Sequence, residues 1–146
     1  MVILSKFAEN LSALMMEHEL NAPALAKLLD TDRTNITRYL RAERLPSYNV
    51  FVKLIEFFNV SADVLLGKID YCDVQKFYPI KPFGTTLRHI LQETNITQYR
   101  VIKDLNISQA SMYFWLLNNR LPTVENIDRL ADYLDVRVDY LLGRIS

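Results

Sequence analysis

An internal repeat limits what this chain can fold into. The stretch RLPSYNVFVKLIEFFNVSADVLLGKI at 44–69 aligns without gaps with RLPTVENIDRLADYLDVRVDYLLGRI at 120–145, at a constant offset of 76 residues. The same register continues upstream, where Phe7 matches Phe83 and Leu11 matches Leu87. Self-similarity at a fixed offset indicates repeated structural units. We therefore predict two domains, domain 1 at residues 1–69 and domain 2 at residues 83–146, joined by a linker at residues 70–82.

The composition predicts an all-α fold without disulfides. The 146 residues include only three glycines, and the five prolines fall at expected helix starts or in the linker. Each copy has about 65 residues, near the lower limit for independent folding. The single cysteine, Cys72, excludes an internal disulfide. The start of the chain is no signal peptide, and charges interrupt every apolar run, so we expect a cytoplasmic protein with no membrane partner.

The stretch APALAKLLDTDRTNITRYLR at 22–41 predicts two short helices joined by a tight turn. Apolar residues recur at spacings of three and four, which places one side of each helix on a shared core. Asp30 lies at the turn, where the chain becomes left-handed and Asp is tolerated. Asp32 is predicted to cap the second helix with its side chain. The predicted inward residues are Leu25, Ala26, Leu29, Ile36, Tyr39 and Leu40.

At these residues the sequence resembles the phage repressor/Cro-type (XRE-like) helix-turn-helix family of bacterial and phage regulators. The resemblance continues through Arg44-Leu45-Pro46-Ser47 and Val60-Ser61-Ala62-Asp63-Val64-Leu65-Leu66-Gly67, and the repeat extends it to residues 98–117. It implies two tandem five-helix lambda-repressor-like DNA-binding domains, with double-stranded DNA as the partner. In this family the third helix of the domain enters the major groove and reads base edges.

The resemblance implies a set of DNA contacts in domain 1. Arginine suits guanine, because its planar fork can pair with both acceptors of the major-groove edge. Residues on the outer face of the third helix would read base edges, and these are Arg33, Thr34, Thr37 and Arg38. Contacts to phosphates are implied for Asn35, Arg41 and Arg44, with the minor groove as an alternative for Arg44.

The implied contacts in domain 2 have a different chemistry. Gln98 opens the second helix at a position where the family often has a phosphate-contacting glutamine. Gln109 and Ser111 are polar contact residues, and glutamine can pair with adenine. Arg120 matches Arg44. Tyr113 and Phe114 occupy the places of Thr37 and Arg38. These two aromatic residues could contact thymine methyl groups, or they could form a protein contact surface. The sequence is compatible with both interpretations.

The charge is balanced overall and uneven locally. The chain has 17 basic and 17 acidic residues, although proteins that bind duplex DNA are usually basic. Residues 31–44 hold four arginines against Asp32 and Glu43, whereas residues 107–120 hold only Arg120. A solvated helix face usually carries both signs of charge. The local excess of arginine therefore favours a DNA-binding role for domain 1.

We expect a sequence-specific DNA-binding transcription regulator, a repressor, and no enzymatic activity. His18 and His89 lie apart from other metal ligands, and the chain has no Gly-rich phosphate loop, so no metal, cofactor or catalytic residue is predicted. The alternative is an interaction protein of the antitoxin or antagonist type, in which domain 2 docks a protein partner and DNA binding is weak or limited to domain 1. The apolar linker is expected to pack on a domain, and a homodimer contact through domain 2 or the linker is also open.

Overall fold

The computed structural model describes residues 2–74 and 76–146, and in these ranges it contains ten α-helices and no strand. The chain divides into two compact units, Met1–Lys76 and Phe77–Ser146. Helices of the first unit are α1 (Val2–Glu17), α2 (Ala22–Leu29), α3 (Arg33–Leu40), α4 (Tyr48–Phe58) and α5 (Ala62–Leu65). Helices of the second unit are α6 (Phe83–Thr94), α7 (Gln98–Leu105), α8 (Gln109–Leu116), α9 (Val124–Leu134) and α10 (Val138–Leu141). The predicted all-α class, with two tandem five-helix units, is confirmed.

The core of the first unit is formed by one side of each helix. Phe7 of α1 meets Tyr39 of α3 edge to face, with ring centroids 6.1 Å apart. This contact joins the first helix to the second helix of the helix-turn-helix. Leu40, predicted as an inward residue, is only half-buried. Other fully buried members of this core are Leu11, Leu25, Leu29, Ile36, Phe51, Leu54, Ile55 and Leu65.

The second unit repeats this core with a larger aromatic residue at its centre. Phe83 of α6 meets Trp115 of α8 edge to face, with ring centroids 6.3 Å apart and an angle of 88° between the ring planes. Trp115 is the single tryptophan of the chain, and only 2% of its surface is exposed. Its fluorescence therefore reports on the folding of the second unit. Further buried members of this core include Leu87, Ile90, Val101, Met112, Leu130, Leu134 and Leu141.

Five left-handed backbone positions recur at the offset of 76 residues. Each follows the end of a helix, where an orphan carbonyl needs a hydrogen bond and the chain must turn sharply. The backbone repeats more faithfully than the sequence, because some pairs, such as Ala42 and Asn118, differ in residue type. The pairs are Glu19/Asn95, Asp30/Asn106, Ala42/Asn118, Asn59/Asp135 and Gly67/Gly143.

Part of the predicted linker packs on the second unit. The backbone N–H of Tyr78 donates to the Arg144 carbonyl at 2.9 Å, and that of Lys81 donates to the Leu142 carbonyl at 3.0 Å. The guanidinium of Arg144 lies 4.0 Å from the centre of the Phe77 ring. The same guanidinium is buried in an ion pair with Asp139, with 2.6 Å between Nη1 and Oδ1. Residues 77–81 thus belong to the second unit, and Gln75 lies outside the described residues.

The first helix includes the apolar residues that precede Ser5. It runs from Val2 to Glu17. Ile3 is buried, so the apolar residues before Ser5 join the helix and its core contacts. No helix in the described parts of the chain combines the length and the apolar character that a membrane span requires.

A close approach between α6 and α8 distinguishes the second unit from the first. The backbone N–H of Gly84 donates to Asn118 Oδ1 at 2.7 Å. A Cβ added at Gly84 would overlap the backbone oxygen of Trp115 and would lie 2.8 Å from that of Leu116. In the first unit the matching residue is Ala8, which is buried. Glycine at position 84 therefore lets α6 approach the end of α8 closely.

We predict that Gly84→Ala destabilises the second unit by about 1–3 kcal/mol, the usual cost of overpacking against an unyielding backbone. Helix propensity alone would favour alanine by about 1 kcal/mol, so the two effects differ in sign. Urea unfolding followed by Trp115 fluorescence measures the change. Thr85→Ala, at the exposed neighbouring position, serves as the control and should change stability by less than about 0.5 kcal/mol. An unchanged or stabilised Gly84→Ala variant would contradict the close packing.

Candidate nucleic-acid interface

The helix-turn-helix of the first unit is formed by α2 and α3. Asn21 Oδ1 accepts a hydrogen bond from the Ala24 N–H at 2.9 Å and so caps α2. Asp30 ends the helix with φ 54°, as the sequence predicted, and the Thr31 N–H then donates to the Ala26 carbonyl at 2.9 Å. These bonds fix the turn that carries the chain into α3.

The predicted side-chain cap at Asp32 is wrong. Asp32 has the extended backbone of an N-cap residue, but its side chain makes no capping hydrogen bond. The Asp32 carbonyl instead accepts from the N–H groups of Asn35 at 3.0 Å and Ile36 at 3.4 Å. The side-chain amide of Asn35 donates to Thr31 Oγ1 at 2.9 Å, which ties the first turn of α3 to the turn that precedes the helix. The Asp32 side chain stays exposed to solvent.

The outer face of α3 is polar and basic. In an α-helix, the residues one, four, five and eight positions after a given residue lie on the same side as that residue. That side carries three arginines and two threonines, with Ile36 and Tyr39 buried on the opposite side. Thr37 Oγ1 donates to the Arg33 carbonyl at 3.0 Å. We call this strip the α3 face; its residues are Arg33, Thr34, Thr37, Arg38 and Arg41, exposed except for the half-buried Thr37.

The arginines of this region are not neutralised by carboxylates. Among residues 2–74 and 76–146, no ion pair involves Arg33, Arg38, Arg41 or Arg44. Arg44 lies just beyond α3 and close enough to act on Tyr39: burial raises the pKa of Tyr39, and the positive charge of Arg44 opposes that rise. All four guanidinium groups are exposed, so the region presents positive charge to solvent although the whole chain is neutral.

The helix-turn-helix of the second unit is capped more completely. Thr97 Oγ1 accepts from the Arg100 N–H at 3.2 Å at the start of α7, and Asn106 ends that helix with φ 55°. Ser108 Oγ accepts from the Ser111 N–H at 3.0 Å. Its hydroxyl also lies 2.9 Å from Ser111 Oγ. Ser111, an implied DNA contact, is thus half-buried and engaged within the cap of α8.

The outer face of α8 is uncharged and largely apolar. Tyr113 is 55% exposed and Leu117 is 46% exposed, whereas Phe114 is half-buried. The Phe114 ring packs against Tyr113 with centroids 5.5 Å apart, and the Arg120 guanidinium lies 4.8 Å from its centre. We call this strip the α8 face; its residues are Gln109, Ala110, Tyr113, Phe114 and Leu117.

A groove of about 310 Å³ runs beside the α8 face. Gln98 and Gln109, both implied as DNA contacts, are brought together on its wall with Tyr113. Arg88 of α6 also lines the groove and donates to the Leu116 carbonyl at 3.1 Å. Sequence reasoning missed Arg88, because the matching residue of the first unit is Ser12 and no local pattern indicates a contact with α8.

Comparison with protein families agrees with this geometry. Residues 86–146 match the sequence model of the Cro/C1-type helix-turn-helix DNA-binding domain, and residues 11–65 match a helix-turn-helix model. The chain therefore belongs to the Cro/C1-type helix-turn-helix family and carries two such domains in tandem. No curated protein and no solved structure matches the chain significantly.

The two capping arrangements predict different mutational costs. Ser108→Ala removes a capping bond and should cost about 1 kcal/mol of stability in the second unit. Asp32→Ala removes no such bond and should cost only about 0.3–0.5 kcal/mol, from the favourable position of a carboxylate near a helix N-terminus. Urea unfolding followed by Trp115 fluorescence for the first variant and by circular dichroism for the second tests this order. Equal losses would show that Asp32 caps α3 in solution.

Proposed function

We propose that this protein is a sequence-specific transcriptional repressor that inserts α3 into the major groove of double-stranded DNA and excludes RNA polymerase from the bound site. The observation that carries the proposal is the α3 face, where exposed arginines stand free of carboxylates on a helix-turn-helix scaffold. A helix-turn-helix domain places this helix in the major groove, with its N-terminal residues against base edges. In this proposal the protein regulates transcription by occupying its DNA site, with no catalytic step and no cofactor.

The arginines divide into two roles by position. Arg33 and Arg38 lie on α3 itself, so they are suited to pair with guanine O6 and N7 through two hydrogen bonds each. Arg41 and Arg44 lie at and beyond the C-terminal end of α3, where the helix leaves the groove. They are suited to phosphates, and each phosphate that they neutralise releases condensed counterions. Base contacts then give specificity, and phosphate contacts give affinity and orientation.

Two DNA-binding units in one chain relax the symmetry of the operator. A dimer of identical domains requires two equivalent half-sites, whereas α3 and α8 present different side chains. Covalent linkage also raises the effective concentration of the second unit once the first has bound. We therefore propose that the operator consists of two unlike half-sites and is not palindromic.

A second candidate function is docking of a protein partner by the second unit. Tyr113, Leu117 and Leu121 are exposed on or next to α8, and exposed aromatic and aliphatic residues are frequent in protein interfaces. In that case DNA binding would be limited to the first unit. The salt dependence of DNA binding and its sequence preference separate this candidate from the proposed repressor.

We predict that Arg38→Ala weakens operator binding by about 1–3 kcal/mol, or about five- to 150-fold, and relaxes the base preference at one position. Arg41→Ala should instead weaken binding to all duplexes alike and lower the slope of log affinity against log salt by about 1. Fluorescence anisotropy with operator and scrambled duplexes, over a range of salt concentrations, measures both effects.

Arg137→Ala is the matched control for these variants. Arg137 is an exposed arginine at the start of α10, outside both helix-turn-helix pairs, and its side chain makes no capping bond. Its removal should leave the salt slope and the operator preference unchanged. Weak binding to every duplex, with a salt slope near zero and no effect of Arg38→Ala, would contradict the DNA-binding proposal.

A further inference from the structure

Corresponding positions of the two outer faces differ in a consistent direction. Along the α3 face the residues are Arg33, Thr34, Thr37, Arg38 and Arg41. Along the α8 face the same positions hold Gln109, Ala110, Tyr113, Phe114 and Leu117. All three arginines are lost, and both threonines are replaced by residues without a hydroxyl on Cβ. The α8 face therefore carries one amide group, that of Gln109, and otherwise mainly apolar side chains, on a helix that matches α3 in the repeat.

The segment that carries the α8 face remains suited to a polyanion. No carboxylate occurs from residue 107 to residue 120, and Arg120 and Arg88 lie at its edges. A segment without carboxylates does not repel the phosphates of a duplex. In the DNA major groove, the apolar feature of a base pair is the C5-methyl group of thymine, and adenine offers the N6 and N7 groups that glutamine can pair with.

We propose that α8 reads a half-site of A·T base pairs, with Gln109 pairing with adenine and with Tyr113 packing on thymine methyl groups. The operator would then join this A·T half-site to a guanine-containing half-site read by α3. This inference rests on the proposed DNA-binding function and specifies which sequence the second unit recognises.

The geometry of α8 fits such a contact. Gln109 and Tyr113 are four residues apart on one side of the helix, so they are separated by about 6 Å along its axis. At about 3.4 Å per base pair, that length covers about two base pairs. The Tyr113 ring is held against Phe114, which in turn packs under the Arg120 guanidinium. A side chain restrained in this way loses less rotational freedom when it meets a base.

The first step of the test is to select operator sequences from a random duplex pool with the full chain. The expected consensus contains one block with guanines and one block of A·T pairs only. Thymines of the A·T block are then replaced by uracil, which removes only the methyl group. We expect about fourfold weaker binding for each methyl group in contact, the cost of about one buried methylene. Uracil in the guanine-containing block serves as the control and should change affinity little.

The second step compares two variants on these duplexes. Tyr113→Ser should bind the thymine operator more weakly and lose most of its sensitivity to uracil, because the apolar partner of the methyl group is gone. Arg38→Ala should weaken binding but keep the full sensitivity to uracil. Since Tyr113 is exposed, its replacement spares the core, and an unchanged Trp115 fluorescence unfolding curve confirms that.

The outcomes separate this inference from the function on which it rests. Binding that depends on Arg38 but is insensitive to uracil, with Tyr113→Ser equal to wild type, overturns the A·T half-site and assigns the α8 face to a protein partner. Binding that shows no selected sequence and no dependence on Arg38 overturns the DNA-binding function itself.

Discussion

One left-handed residue between the two helices of each helix-turn-helix decides which side chains face outward. The chain changes direction at Asp30 and again at Asn106. Each turn is held by a backbone hydrogen bond, from the Thr31 N–H to the Ala26 carbonyl and from the Ile107 N–H to the Ile102 carbonyl. With α2 and α7 packed on the core through their apolar sides, α3 and α8 can bury only one side each. The opposite side is then necessarily exposed, and this constraint creates the two outer faces.

The same scaffold presents two kinds of chemistry. In the first unit, the exposed positions hold guanidinium groups, a chemistry that can attract phosphates at long range and pair with guanine acceptors at short range. In the second unit, the exposed positions hold an amide, an aromatic ring and an aliphatic side chain. These groups interact only with atoms that they touch directly. The buried sides hardly differ in kind, since Ile36 and Tyr39 correspond to Met112 and Trp115. The buried and the exposed side of one short helix therefore vary independently in their chemistry.

Sequence reasoning succeeded where the signal is local or periodic. The repeat, the start of α7 at Gln98, the left-handed Asp30 and most of the buried residues follow from spacing and from residue preference at turns. It failed where a contact joins distant segments. The bond from Gly84 to Asn118 and the position of Arg88 beside Leu116 depend on how helices meet. The cap at Asp32 failed for another reason: the residue type and backbone are suitable, but main-chain groups take the bonds of the first turn.

Interference by methylation at guanine N7 tests most directly whether arginines on α3 pair with guanine in the major groove. Operator duplexes methylated at this atom are separated into bound and free fractions, and the modified positions are read in each. We predict that methylation of guanines in one half-site excludes duplexes from the bound fraction, and that Arg38→Ala abolishes the exclusion at one of them. Binding that is indifferent to N7 methylation at every operator guanine would contradict this account.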